Sequence, residues 1–291
     1  MRVAVHTGAH FTDDERLMRC LLANKGDFSQ AGIAVPGPGK YRTLLKETFA
    51  ALDGAAPGHE AREVLVDAIL DEESADAMIL SNQHFFGSPR FAIAPEGFYP
   101  QAVQRMRQMI QLFHEDRVEM FLAICNPATF VPAVLAKASR QQQADLLQRV
   151  PPSTLRWSEL LARLRAELPD LPITVWCNED SPLLWPEIVR AVAGLKTGTK
   201  INGAFDLLRD IMSQEGMTRF RAYLAEHPDL SDSQKRRVMI AFLDKFAIEE
   251  ALEEELDLPE WSEALVADLT RRYDDDLLRI GRIKGVRLLT L

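Results

Sequence analysis

The stretch Val5-His6-Thr7-Gly8-Ala9-His10-Phe11-Thr12-Asp13-Asp14-Glu15-Arg16-Leu17 decides the fold. An apolar run, Val3 to Val5, meets a glycine turn and then helical periodicity over Glu15 to Asn24. A strand running through a glycine turn into a helix is where α/β nucleotide proteins place a phosphate cradle. Three later runs repeat the strand signal: Ala77 to Leu80, Val118 to Ile124 and Ile173 to Trp176. Amphipathic segments lie between them, over Ala61 to Leu70, Gln101 to Phe113 and Ser158 to Leu168. Strands alternating with helices predict an α/β fold, a parallel sheet sandwiched by helices.

Ligands of such sheets sit beyond the carboxyl ends of the strands. Those ends read His6-Thr7-Gly8, Ser81-Asn82-Gln83-His84, Cys125-Asn126-Pro127 and Cys177-Asn178-Glu179-Asp180. From about Ile201 to Ile280 the pattern is mostly helical, so residues 1–291 are expected to form a single domain with a helical elaboration over 201–280. A separate helical subdomain is the alternative. The run Glu249 to Glu255 reads as a solvated helix face, broken at Asp257-Leu258-Pro259, with a helix restarting near Ser262. Gly285 to Leu289 reads as a last edge strand.

The composition, 47% hydrophobic and 26% charged over 291 residues, excludes disordered, collagen-like and coiled-coil chains. Lys+Arg number 34 against 43 Asp+Glu, a net charge of −9, so a nucleic-acid partner is not expected. Cys20, Cys125 and Cys177 are far apart and form no CxxC, which indicates neither a disulfide framework nor a zinc cluster. No apolar run approaches about 18 residues, and Met1 to Val5 is too short for a signal peptide. The expectation is a cytoplasmic protein without a membrane partner.

The first loop resembles that of bacterial sulfotransferase-like proteins of the P-loop superfamily. Their loop reads His-x-Gly-x-His-Lys-Thr-Gly-Thr-Thr, followed by Leu, Asn, Gly-Ile and Pro. This chain has His6, Gly8, His10, Thr12, Leu17, Asn24, Gly32-Ile33 and Pro36 at the matching spacing. Ile79 to His84 resembles the family's strand ending in Ser-x-Glu, and Phe121 to Ala136 its strand-Arg-x-Pro-helix segment. The resemblance implies a sulfotransferase-like P-loop fold. It also implies a cleft for 3′-phosphoadenosine-5′-phosphosulfate (PAPS) or adenosine 3′,5′-bisphosphate at His6, Gly8, His10, Thr12, Ser81 and Asn126.

Several family positions carry other residues here. Phe11 stands where the phosphate-gripping Lys belongs, Asp13 where a Gly belongs, and Asp14 and Glu15 where the hydroxyl pair belongs. Cys125 replaces the Arg that holds the 3′-phosphate, and Gln83 the Glu after the second strand. Thr12-Asp13-Asp14-Glu15 reads instead as a capping box, with Thr12 accepting from the Glu15 N–H and Glu15 reaching back. Two like charges 4 Å apart near a surface repel by roughly 4 kcal/mol, so acids at this helix start oppose a polyphosphate.

Other readings of the same residues stay open. His6, His10, Asp13, Asp14 and His84 have the chemistry of a metal site without diagnostic spacing. Ser81 and His84 could pair as nucleophile and base, although no G-x-S-x-G elbow is present. Cys125 could be a reactive thiol. Asn178-Glu179-Asp180 reads as a helix cap and turn, and Leu195-Lys196-Thr197-Gly198-Thr199-Lys200 as a basic turn that fails the phosphate-loop spacing.

The expected function is that of a divergent sulfotransferase-like protein that has lost ordinary PAPS-dependent transfer. It would bind another ligand in the cleft formed by loops 6–15, 81–88 and 125–132, with no cofactor and no metal. The alternatives are two. One is a functional PAPS-dependent sulfotransferase, with His10 or His84 as catalytic candidates and Arg90 or Lys137 replacing the lost cations. The other is a non-catalytic interaction protein using its acidic helices.

Overall fold

The computed structural model describes residues 1–52, 57–58, 60–70, 74–136, 138–252 and 261–291. Its strands are β1 (Arg2–His6), β2 (Ile33–Ala34), β3 (Ala77–Ser81), β4 (Ile93–Ala94), β5 (Gly97–Phe98), β6 (Arg117–Ile124), β7 (Ile173–Cys177) and β8 (Val286–Leu289). Six of them form one sheet in the order β2-β3-β1-β6-β7-β8, and every neighbouring pair is parallel. Every residue of β3 is buried, as are all but the first of β1. Both faces of a parallel sheet are covered by helices, which is why these strands read as continuous apolar runs.

Nine helices precede the C-terminal third in the described residues. They are α1 (Arg16–Ala23), α2 (Lys25–Gln30), α3 (Pro38–Leu52), α4 (Ala61–Leu70), α5 (Ala102–Leu112), α6 (Pro127–Leu135), α7 (Arg140–Arg149), α8 (Trp157–Glu167) and α9 (Ser181–Ala193). The chain leaves β1 toward β2 on one side, whereas it leaves β6 toward β7 on the other. The carboxyl ends of β1 and β6 therefore flank the switch point at which open α/β sheets bind ligands.

The four strands expected from sequence are present within a residue or two, and the edge strand β8 lies parallel to β7. Two elements were not anticipated. The strand β2 has two residues, too few to show any periodicity, and β4 and β5 form a small antiparallel hairpin outside the main sheet.

The last third forms α10 (Asp206–Ile211), α11 (Gln214–Glu226), α12 (Asp232–Phe246), α13 (Glu249–Leu252) and α14 (Glu263–Ile280). Leu208, Met212, Met217, Phe220 and Met239 make a small core of their own. Ser262 caps α14 by accepting from the Leu265 N–H at 3.2 Å. That helix docks on the sheet body: Tyr273 and Ile280 join the main core, and buried Asp276 accepts from both the N–H and the hydroxyl of Ser158. Residues 253–255 of the acidic run and the break at 257–259 lie outside the described residues. No helix among the described residues is long and apolar enough to cross a membrane.

Candidate functional site: the carboxyl ends of β1 and β3

The β1–α1 loop does not form the capping box expected from its sequence. Phe11, Asp14 and Glu15 all have left-handed backbones, with φ of 65°, 44° and 64°, and this coil delays the helix to Arg16. Thr12 donates its hydroxyl to the Ala9 carbonyl at 2.7 Å instead of accepting from Glu15. The acid that meets the helix start is Asp13, whose carboxylate accepts from the Leu17 N–H at 3.2 Å. An anion there is favoured by the helix dipole. Glu15 turns away to Arg42, 2.7 Å distant.

Before the coil, the loop continues the sheet. Thr7 N–H donates to Phe121 O and Ala9 N–H to Ala123 O, both at 2.9 Å. Gly8 sits between them at φ 53°, a conformation that costs glycine little. The amides of Phe11 through Glu15, by contrast, meet no protein acceptor among the described residues.

Three histidines meet at this edge in two separate arrangements. His6 is buried, and its Nδ1 lies 2.9 Å from the Ser81 hydroxyl. Its Nε2 has no partner among the described residues, and a Cβ on Gly8 would stand 3.7 Å from it. Burial lowers the His6 pKa, against the raising fields of Asp13 and Glu15. Ser81 therefore pairs with His6 and not with His84, which removes the nucleophile-base pair considered from sequence. Among the described residues no three His, Cys, Asp or Glu side chains converge as a metal site.

The second arrangement joins Tyr99, His10 and His84. The Tyr99 oxygen accepts from the His10 backbone N–H at 2.9 Å and lies 2.8 Å from His10 Nδ1. His10 Nε2 is 3.2 Å from His84 Nδ1. Burial, reinforced by His84, brings His10 down to about 4, while the Gly87 carbonyl acts against this. Burial pushes the Tyr99 phenol far up, so it keeps its proton. The hairpin β4–β5 delivers Tyr99, which has a left-handed backbone of φ 46°. Such a conformation in a bulky residue costs on the order of 1–3 kcal/mol and persists only where the surroundings impose it. Packing against Phe86, Phe130 and Trp157 supplies that constraint.

The end of β3 is clamped from α3. The buried Tyr41 hydroxyl accepts from Ser81 N–H at 2.9 Å and donates to Ser81 O at 2.8 Å. Arg42 adds bonds from Nε and a terminal nitrogen to the same carbonyl, at 3.1 and 2.9 Å. Beside this clamp opens a cleft of about 420 Å³. Arg42 and Lys46, one helical turn apart on α3, line it together with Arg105 of α5. Phe49, Asn82, His84, Phe85 and Ser88 complete most of the wall, which contains no carboxylate-bearing residue among the described residues. Arg105 lies over the Phe49 ring at 5.5 Å.

Of the positions matched to the family, His6, Gly8, His10, Thr12 and Ser81 gather at the β1 and β3 ends. Asn126 stands apart at the end of β6. It caps α6 by accepting from Ala128 N–H at 2.9 Å and donates to Thr270 at 2.8 Å, while Glu179 accepts its backbone N–H at 2.6 Å. Glu179 thus ties strands and α14 together through Asn126 and Tyr273; no side chain of Asn178-Glu179-Asp180 caps the following helix. The Cys125 side chain is buried. Burial raises Cys20 to about 11 and Cys177 to about 12, values that keep both as thiols at neutral pH. Arg90 stacks over Phe91 at 4.5 Å, and Lys137 lies outside the described residues. The turn at 196–200 lies elsewhere, against α9 and α12, where Thr199 and Lys200 line a cavity with ion-paired Arg190 and Arg236.

Arg42, Lys46, Arg105, Tyr41 and Tyr99 were not anticipated. The spacing of Arg42 and Lys46 was the one available signal, since it puts both on one helix face. Tyr99 meets His10 across 89 positions and leaves no local trace. No protein-family model matches this chain, and no curated protein matches it.

Proposed function

We propose that this chain is a divergent sulfotransferase-like protein of the P-loop class that has lost PAPS-dependent sulfuryl transfer and binds a different small molecule in the strand-end cleft. The arrangement of the β1–α1 loop carries this reading. Phe11 occupies the lysine position, the Asp13 carboxylate holds the helix-start amide, and Glu15 holds Arg42. A phosphate cradle needs open amides, close backbone approach and a cation together. Here Arg19 donates to the Asp14 carbonyl and Arg42 is engaged by Glu15 and the Ser81 carbonyl, and the residues do not fit the donor nucleotide.

A functional sulfotransferase with an atypical loop is the second reading, and one observation favours it. Among the described residues the amides of Phe11 to Glu15 and buried His6 Nε2 lack protein partners, as the groups of an anion-accepting loop would. Thermal unfolding with adenosine 3′,5′-bisphosphate and with PAPS decides between the two. A ligand bound only by the folded state adds about 2.7 kcal/mol at a hundredfold excess over its dissociation constant. The first reading expects no change in Tm; a rise of several degrees would establish the second.

A further inference from the structure

Among the described residues the cleft of about 420 Å³ offers a ligand three cations and no carboxylate, with the Thr43 and Ser88 hydroxyls able to donate or accept. Arg42, Lys46 and Arg105 are donors in any protonation state relevant near neutral pH. Lys46 is exposed and has no carboxylate partner among the described residues. Buried Asn82 uses its Oδ1 to accept the His84 N–H at 3.0 Å, which leaves its amide nitrogen as the group without a protein acceptor.

The hydrogen-bond chain behind the cleft adds one more donor. The Tyr99 oxygen already accepts from the His10 N–H, so its own hydrogen is satisfied by donating to His10 Nδ1. The opposite assignment would strand a buried phenolic hydrogen. Neutral His10 then carries its proton on Nε2, which also suits the Gly87 carbonyl facing the ring. That proton points to His84 Nδ1 as its acceptor, so the nitrogen of His84 left to donate is Nε2. These tautomers follow from the hydrogen-bond network.

We infer that the cleft between α3, α5 and the loop after β3 binds a small molecule made of an acceptor-only oxyanion, a phosphate, sulfate or carboxylate, on an apolar body. Lys46, Arg105, the Arg42 nitrogen that neither Glu15 nor Ser81 engages and the Nε2–H of His84 hold the oxyanion, and Phe49 and Phe85 hold the body. Tyr99 is a positioning residue, acting through His10 to make His84 a donor. This inference rests on the reading that the ligand occupies the strand-end cleft, and it adds the ligand's chemical class.

Calorimetric titration of the full chain with phenyl phosphate, benzoate, benzyl alcohol and inorganic phosphate tests it. Phenyl phosphate or benzoate should bind saturably, benzyl alcohol should not, and inorganic phosphate should bind at least tenfold more weakly than phenyl phosphate. The two aromatic acids distinguish a tetrahedral from a planar oxyanion. Lys46→Ala and Arg105→Ala should each weaken the aromatic acid at least tenfold, with thermal unfolding of each variant confirming that it folds. Absence of binding by both acids up to about 10 mM, a weak-binding bound, would overturn the inference, as would unchanged affinity in both variants. Two-bond ¹H–¹⁵N correlation spectra read the tautomer directly. His84 protonated on Nε2, losing that preference in Tyr99→Phe, is expected; His84 protonated on Nδ1 would overturn the role given to Tyr99. Adenosine 3′,5′-bisphosphate that binds without displacing phenyl phosphate would contradict the proposed loss of nucleotide binding and leave the oxyanion cleft standing.

Discussion

The Tyr99 hydroxyl lies 2.8 Å from His10 Nδ1 and 2.9 Å from the His10 amide, so one phenol serves both the ring and the backbone of a residue in the first loop. Tyr99→Phe keeps the ring packing and removes both partners at once. A buried donor or acceptor left without a partner costs about 1–3 kcal/mol. Urea denaturation of this variant should show a loss of that order with an unchanged m-value.

Acid sensitivity follows from His10. Its pKa is about 4 in the folded chain against an ordinary 6.5. As pH falls from 6.5 the unfolded chain takes up this proton first, so stability is complete above about 6.5 and is lost progressively down to about 4. His6, also lowered, acts in the same direction. Tm measured between pH 7 and 4 should decline across this window. His10→Gln, which has no such proton to take up, should give a shallower decline.

Glu15 competes with any anion for Arg42, at 2.7 Å. The pair is partly exposed, and such pairs are worth under about 1 kcal/mol. Glu15→Gln should therefore tighten phenyl phosphate binding about threefold, a change of about 0.65 kcal/mol. Calorimetry reads the change; weaker binding would mean that Glu15 orients Arg42 instead of restraining it.

Docking of α14 depends on a carboxylate between two helices. Asp276, 2% exposed, accepts from Ser158 N–H at 3.1 Å and from the Ser158 hydroxyl. Asp276→Ala leaves that amide and hydroxyl unpaired, at a cost of about 1–3 kcal/mol each when no water replaces the lost acceptor. Denaturation should register a loss of at least about 2 kcal/mol, while Asp268→Ala, which removes only a solvent-facing pairing with Arg271 and Arg272, should change stability far less.

Most of the sheet was legible because its strands, β2 excepted, are apolar runs of three or more residues separated by amphipathic helices, a pattern that survives without tertiary knowledge. The two-residue β2 and the hairpin that carries Tyr99 were not, since neither is long enough to show a period. At the site, His6, Ser81 and His84 were found because they stand at strand ends, and His10 because it matches the first loop of the family the sequence resembles. Their pairings were not, because His6 meets Ser81 across 75 positions and His84 meets His10 across 74. The capping box failed for a local reason: three non-glycine residues at positive φ reshape the turn, and no propensity argument anticipates that strain. Arg42 was overlooked because its role depends on where α3 lies against the end of β3.

Isothermal titration with adenosine 3′,5′-bisphosphate tests the central claim most directly. With Phe11 in place of a cation and Asp13 at the helix start, no saturable binding is expected up to about 1 mM, where even a filled site would be worth only about 4 kcal/mol. Saturable micromolar binding, abolished when Gly8 is replaced by Val, would contradict it.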